Sequence, residues 1–266
     1  MEMVSQHNEQ ILRIGGGDVQ VASKGSGEAL VYLHGAFGYR GWHPFLDALA
    51  EDFTVYAPVQ PGFVDGAPGP ADIDDMLDLT LYYFDLLEAL GLEAPNVVGH
   101  FLGGMIAAEM AALRPTSVGK LVLAAPAGLW LDDDPGVDYF ATPANELRNV
   151  LFSDANSEAA KYLMPEAQDD LERGTQIIER VRSLATVGKF LWPIPDKGLK
   201  KRMSRIKADT LVVVGEQDKI VPPSYGGEFA SRISGATAQT MTGTGHMMMI
   251  ERTEEFAGVV KRFLRG

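Results

Sequence analysis

The sequence predicts an α/β fold with a mostly parallel, doubly wound sheet that carries a helical lid insertion. Two observations support this fold class. Short apolar runs rich in β-branched residues alternate with longer runs of helical character, which is typical of parallel strands joined by crossover helices. One long stretch, 128–200, interrupts that alternation with helix-like pieces and no convincing strand.

The predicted strands are short apolar runs, and most of them end at a glycine, a proline or a polar turn. The first is expected to be an edge strand, and the second a buried strand because it is apolar on both faces. In chain order the predicted strands cover residues 19–23, 29–33, 53–57, 96–99, 118–124, 211–215 and 237–241.

Helices are predicted between these strands, at residues 42–50, 72–90, 102–113, 225–233 and 254–264. We expect the second helix to begin at Asp72, because an aspartate before an apolar periodic run is a typical N-cap. Apolar residues recur at helical spacing along it, and this predicts its packing face. That face is expected to contain Leu77, Leu81, Phe84 and Leu87.

The chain is predicted to divide into a core, residues 1–127 and 201–266, and a helical lid, or cap, formed by residues 128–200. An insertion that follows a strand lies over the carboxyl ends of the sheet, where open α/β sheets bind ligands. The lid contains Asp132, Asp133 and Asp134. We interpret this acidic run as a solvated surface turn, and a metal site is the alternative.

Composition excludes several classes of function. The net charge of −13 argues against nucleic acid and anionic membrane surfaces as partners, because both are themselves negatively charged. The absence of cysteine excludes disulfides, thiolate metal sites and a cysteine nucleophile, and it fits a reducing compartment. No dinucleotide-binding glycine motif and no metal-ligand spacing occur, so we expect neither cofactor nor metal.

Nothing in the sequence predicts targeting to a membrane. Residues 1–10 are polar and lack the apolar stretch of a secretory signal, and the longest apolar run, 105–113, is too short to span a bilayer and contains Glu109. We therefore expect a cytoplasmic protein. Its oligomeric state, monomer or homodimer, is left open by the sequence.

The segment around Phe101 has the layout of a nucleophile elbow, with an unexpected residue at its centre. Residues 97–104 read VVGHFLGG, so an apolar strand runs into a glycine-flanked turn that a helix follows. In a G-x-S-x-G elbow the central side chain projects from a strained strand-to-helix turn. A phenyl ring has no lone pair for attack and no proton to transfer. We therefore expect no acyl-serine chemistry at this position.

Three further motifs follow predicted strands. They are HGAFG at 34–38, GEQD at 215–218 and GTGH at 243–246. The order elbow, acid, histidine is that of the α/β-hydrolase fold. On these four motifs the chain resembles the α/β-hydrolase superfamily from residue 19 to residue 264. The most similar subgroup contains esterases, lactonases, carbon–carbon-bond hydrolases and epoxide hydrolases, and the sequence does not choose among them.

The resemblance implies roles for five residues. Asp218 matches the triad acid, and His246, whose ring it would orient, matches the general base. A loop Asx-turn is the alternative for Asp218, and a packed buried histidine is the alternative for His246. The backbone N–H groups of Leu102 and of Ala36 or Phe37 match an oxyanion hole, and as main-chain donors they are independent of side-chain changes.

The chain also departs from the family pattern around the expected pocket. Val64 stands where the family often has a glycine, and Met247 and Met248 follow the histidine where the family often has a proline. We expect these three residues and Trp130 of the lid to line an apolar pocket for a small apolar ligand or substrate. Ordinary core packing is the alternative for the methionines.

No other residue is a credible replacement for the nucleophile. No serine or threonine adjoins Phe101, while Thr242 and Thr244 lie near His246 but not on an elbow. A bulky side chain at the positive φ that an elbow requires costs about 1–3 kcal/mol. Phe101 is therefore not an obvious stabilising choice, and its two explanations are natural divergence and laboratory engineering.

Three functional hypotheses follow. In the first, the Asp218–His246 pair acts as a base without a covalent step. In the second, the protein is a catalytically silent hydrolase scaffold that binds a small apolar ligand. In the third, the protein is a hydrolase whose nucleophile has been replaced. His34 and His100 are interpreted as structural histidines in all three.

Overall fold

A sheet of eight strands forms the centre of the computed structural model, which describes residues 6–37, 41–63 and 73–266. The strand order is β1-β2-β4-β3-β5-β6-β7-β8, in which β1 and β2 run antiparallel to their neighbours and the others are parallel. The predicted fold class is therefore confirmed. The strands are β1 (Asn8–Ile14), β2 (Gly17–Lys24), β3 (Ala29–Leu33), β4 (Thr54–Pro58), β5 (Asn96–His100), β6 (Leu121–Ala124), β7 (Thr210–Gly215) and β8 (Thr237–Met241).

Most predicted strands are confirmed to within a few residues, and the first is placed wrongly in the sheet. Residues 19–23 lie within β2, which is not an edge because β1 pairs with it along its length. The sequence analysis missed β1 because that strand is exposed over most of its residues and shows no buried face. Burial patterns therefore cannot reveal it.

Helices cover both faces of the sheet. In the core they are α1 (Pro44–Ala50), α2 (Met76–Ala89), α3 (Leu102–Leu113), α7 (Ser224–Arg232), α8 (Met248–Glu251) and α9 (Thr253–Arg265). No helix in the described part of the chain combines the length and the apolar character that crossing a membrane requires.

The start and the packing face of α2 differ from the prediction. Asp75 caps this helix by accepting hydrogen bonds from the backbone N–H groups of Leu77 and Asp78, so the expected start at Asp72, which lies outside the described residues, is wrong. Leu77 and Leu81 are 51% and 47% exposed. Phe84 and Leu87 are buried as predicted, so half of the predicted face is confirmed. The fully buried members of α2 are Leu79, Thr80, Tyr83 and Leu86.

Segment 128–200 follows β6 and contains helices but no strand. They are α4 (Leu147–Leu151), α5 (Glu158–Leu163), α6 (Asp170–Leu191) and a short 3₁₀ helix at Ala144–Glu146. Asp132 and Asp133 lie in an exposed turn, as predicted, while Asp134 accepts a hydrogen bond from Ser224.

Glycines allow α3 to pack directly on the strands that precede it. A Cβ atom on Gly103 would lie 2.1 Å from the carbonyl oxygen of Leu33, and one on Gly99 would lie 2.4 Å from the carbonyl oxygen of Gly103. The backbones of β3, β5 and α3 are therefore in contact with no side chain between them. This contact fixes the position of residue 101, which connects β5 to α3.

We expect Gly103→Ala to lower the free energy of unfolding by about 3 kcal/mol, because the added methyl group would overlap rigid backbone. Gly174→Ala in α6 is the matched control: nothing lies within 4 Å of its added Cβ, and alanine should stabilise that helix by about 0.5–1 kcal/mol. Urea unfolding followed by circular dichroism measures both. Equal stability of Gly103→Ala and the parent protein would contradict the proposed backbone contact.

Candidate active site

Phe101 occupies the sharp turn between β5 and α3 and has the positive φ that the sequence predicts. Its φ and ψ are 48° and −107°. Hydrogen bonds hold this backbone on both sides: its N–H donates to the carbonyl of Ala124, and its carbonyl accepts from the N–H groups of Met105 and Ala127, at 3.0 Å each. The side chain is 6% exposed. The turn is therefore formed in full although no nucleophile stands on it.

Asp218 and His246 form a buried hydrogen-bonded pair. His246 Nδ1 lies 2.8 Å from Asp218 Oδ2, and the other carboxylate oxygen accepts from the N–H groups of Ile220 and Val221, at 2.9 Å each. Since a carboxylate only accepts, Nδ1 carries the proton and Nε2 carries the lone pair. No described residue forms a hydrogen bond with Nε2. The arrangement leaves His246 able to accept a proton.

The Phe101 ring lies against the His246 ring. Their centroids are 4.9 Å apart and their planes meet at 83°, an edge-to-face contact. Tyr139 also contacts the phenyl ring, with centroids 6.3 Å apart. His246 therefore faces an apolar ring at the place where the elbow of a serine hydrolase presents its nucleophile.

The loop that carries His246 is tied to segment 128–200. The N–H of His246 donates to the carbonyl of Leu151 at 2.8 Å. The Glu251 carboxylate accepts from the N–H of Gly245 and from the N–H and hydroxyl of Ser153, all within 2.8 Å. Glu251 could not be predicted from the sequence, because a single glutamate at the end of a short helix gives no signal of such a bridge. The bridge holds the backbone that carries His246.

The predicted oxyanion donors lie at one edge of the sheet. Leu102 is the first residue of α3, where a backbone N–H has no partner within the helix. The loop after β3 lies against the elbow, since a Cβ on Gly35 would be 3.4 Å from the Cβ of Phe101. Ser183 of α6 donates to the Ala36 carbonyl, and the Phe37 ring packs on Tyr139. Parallel pairing of β3 with β5 brings these groups together.

Three further histidines surround a small cavity beside the pair. It encloses about 30 Å³, enough for one water molecule, and His34, His43, His100, Phe37 and Met247 are among its lining residues. His100 Nε2 lies 3.1 Å from the carbonyl oxygen of His246. Within the described ranges no three histidine, aspartate or glutamate side chains are placed to share a metal ion.

Burial keeps these three histidines neutral. It lowers the pKa of His34 and of His43 to about 4, and it lowers the pKa of His100 well below the usual range, with the neighbouring His246 as a second cause. His34 Nε2 accepts from the N–H of Gln60 at 2.9 Å, whereas the buried Nδ1 of His43 has no partner. The surroundings of His246 therefore add no positive charge at neutral pH.

Two of the predicted pocket residues do not reach this cavity. Met247 lines it, but Met248 is fully buried at the start of α8 and points away from the lining, and Trp130 is half-buried with its indole N–H donating to Asp132. The alternative of core packing therefore describes Met248. Val64 lies outside the described residues.

Comparison with known proteins gives consistent matches along the chain. The sequence profile of the family described as alpha/beta hydrolase fold matches residues 28–253. The 2-hydroxy-6-oxo-6-phenylhexa-2,4-dienoate hydrolase of Comamonas testosteroni is 29% identical, over 91% of this chain and 89% of the relative. The dihydrolipoyllysine-residue acetyltransferase component of the acetoin cleaving system of Cupriavidus necator is also 29% identical, over 97% of this chain and 69% of the relative.

Among solved structures, a bacterial membrane phospholipase A superposes with a TM-score of 0.81 and 23% sequence identity, covering 98% of this chain and 86% of the other. At this identity the match concerns the fold alone.

We expect the buried neutral histidines to make stability depend on pH. The folded pKa values of His34 and His43 lie near 4, and the unfolded value is 6.5. Their contribution to the free energy of unfolding is therefore complete above pH 6.5 and decreases as the pH falls towards 4. For each histidine the free energy of unfolding should fall by up to about 1.4 kcal/mol for each pH unit in this range. Urea unfolding between pH 7.5 and 5.5 should show that the free energy of unfolding depends less on pH in His43→Gln than in the parent protein. Equal pH dependence in the two proteins would contradict the lowered pKa of His43.

Proposed function

Since the chain belongs to the alpha/beta hydrolase family, we propose that its Asp218–His246 pair acts as a general base on a small apolar substrate. The covalent step of a serine hydrolase is not part of this proposal, because Phe101 supplies no nucleophile. A base held in position contributes typically about 10²–10⁴-fold to a rate, which is modest beside a complete triad.

The open Nε2 of His246 is the observation that carries this proposal. Asp218 holds the ring through Nδ1 at 2.8 Å, and two backbone N–H groups hold Asp218 in turn. The ring thus has one fixed tautomer and one orientation, and its lone pair is directed to the side where no described residue binds it. Fixed orientation and tautomer are the contributions that a carboxylate makes to a catalytic histidine.

A carbon acid is the substrate class that fits these groups. His246 Nε2 would take a proton from the carbon next to a carbonyl. The electron pair of the broken C–H bond would form a C=C bond, and the π electrons of the C=O bond would move to the carbonyl oxygen to give an enolate. The backbone N–H groups of Leu102 and of Ala36 or Phe37 would stabilise the resulting oxyanion. Phe101 would form an apolar wall beside the reacting carbon.

We further propose that segment 128–200 acts as a lid over this site. His246 and Phe101 are 1% and 6% exposed, so a substrate reaches them only when neighbouring chain moves. Segment 128–200 supplies contacts on the base and on the phenyl ring, through Leu151 and Tyr139. Opening of these contacts would admit substrate, and closing would exclude water from the base.

A catalytically silent scaffold that binds a small apolar ligand is the second candidate. The edge-to-face packing of Phe101 on His246 favours it, because a buried ring in that place also fills part of the space that a substrate would need. The two candidates differ in whether His246 is required for turnover.

The first experiment measures proton abstraction from cyclohexanone, a small apolar carbon acid whose acidic carbon adjoins a carbonyl, through the exchange of its α-hydrogens for deuterium observed by NMR. We expect the parent protein to react faster than buffer alone. The rate with His246→Ala should be at least about tenfold lower than with the parent protein, because the base is removed. His7→Ala is the matched control, since His7 lies outside the site, and it should keep the parental rate. A parental rate no higher than that of His246→Ala would instead favour the silent scaffold.

The second experiment restores the nucleophile. We expect Phe101→Ser to hydrolyse p-nitrophenyl acetate at least about 10²-fold faster than Phe101→Ala, which opens the same space without a hydroxyl group. The gain should disappear in Phe101→Ser/His246→Ala. If a folded Phe101→Ser protein shows no gain, the oxyanion donors are not placed as proposed.

A further inference from the structure

A second cavity lies away from the candidate active site. It encloses about 420 Å³ between the start of α2, the end of α3 and the end of α6, and none of its lining residues belongs to the site of His246. Cavities that bind small molecules commonly measure about 300–1,000 Å³. The size therefore suits a small organic ligand, and the lining decides its class.

The two carboxylates in the wall differ in their partners. Glu109, 1% exposed, is held by the Arg202 guanidinium, whose Nε donates at 2.8 Å and whose Nη2 donates to the other oxygen. Asp75 accepts the N–H groups of Leu77 and Asp78 with one oxygen, Oδ1, at the start of α2. The charge of Glu109 is therefore balanced within the wall.

Two ammonium groups in the wall are held only weakly. Lys189 Nζ lies 3.2 Å from Asp74, whose side chain is 84% exposed, and exposed pairs of this kind contribute little. Lys197 Nζ donates to the carbonyl of Trp192 at 2.7 Å, which leaves its charge without a counterion there. Both ammonium groups can turn towards a bound anion without breaking a buried ion pair.

The surrounding sequence is unusually basic for this chain. The protein has a net charge of −13, yet six of its 23 lysines and arginines fall within residues 197–207. They are Lys197, Lys200, Lys201, Arg202, Arg205 and Lys207. Of these six only Lys197 and Arg202 line the cavity, and Arg202 is paired with Glu109. Lys197 and the Lys189 of α6 are therefore the cations of the lining that can meet an anion.

The rest of the lining is apolar and consists of Met76, Leu77, Leu113 and Phe190. We propose that the cavity binds a medium-chain carboxylic acid. Its alkyl chain would pack against these four side chains, and its carboxylate would bind the ammonium groups of Lys189 and Lys197. An apolar wall with a few convergent polar groups is the usual composition of a small-molecule site.

Isothermal titration of the protein with decanoate tests this proposal. We expect one site per chain, and an affinity about tenfold lower in Lys189→Gln/Lys197→Gln, because two charge-assisted hydrogen bonds are lost. Lys207→Gln is the matched control: it removes an exposed lysine of the same basic segment that does not line the cavity, and it should keep the parental affinity. Decanol, which lacks the charge, should bind more weakly than decanoate.

Three results would overturn the proposal. They are no binding of decanoate by the parent protein at millimolar concentration, equal affinity of the double variant and the parent, and equal affinity for decanol and decanoate. The lysines are partly or fully exposed, so their replacement leaves the core intact, and circular dichroism checks folding. The outcome is independent of His246, so failure here leaves the proposed base chemistry untouched, and the reverse also holds.

Discussion

The direct backbone contact between α3 and the strands before it is the constraint on which the site depends. Gly99 and Gly103 let the helix begin immediately after β5, and this forces the connecting residue into a left-handed conformation. Phe101 adopts that conformation although it is bulky, because three backbone hydrogen bonds fix its peptide groups. The same contact places the first N–H of α3 beside the loop after β3. Elbow, helix start and loop are thus one rigid unit, whatever side chain residue 101 carries.

The electrostatics of the site follow from the burial of its histidines. Burial lowers the pKa values of His34, His43 and His100, so these three rings stay neutral in the folded protein, and the centroid of the His100 ring lies 4.7 Å from that of His246. The Asp218 carboxylate contacts the imidazole at Nδ1, and two backbone N–H groups hold it. In a buried site a fixed charge acts more strongly than in water, and it costs no reorganisation when a proton arrives.

Much of this arrangement could be predicted from the sequence, since its signals are local. The elbow at Phe101 and the acid at Asp218 follow buried strands, the histidine at His246 follows the exposed edge strand β8, and parallel strands bring their carboxyl ends to one edge. Side chains that contact residues far away in the sequence gave no such signal. Glu251 joins Gly245 to Ser153 of segment 128–200 through space, and Met248 turns into the core because of where α8 begins, which only the packed structure determines.

The backbone strain at Phe101 belongs to the elbow and is independent of contacts on its side chain. A bulky residue with a φ of 48° costs about 1–3 kcal/mol, and three backbone hydrogen bonds hold it there. A molecule that packs on the phenyl ring therefore leaves this cost unchanged. What the ring determines is the space beside His246: it is 6% exposed and its centroid lies 4.9 Å from that of the imidazole. A substrate that reaches Nε2 must therefore pack beside the phenyl ring or displace it.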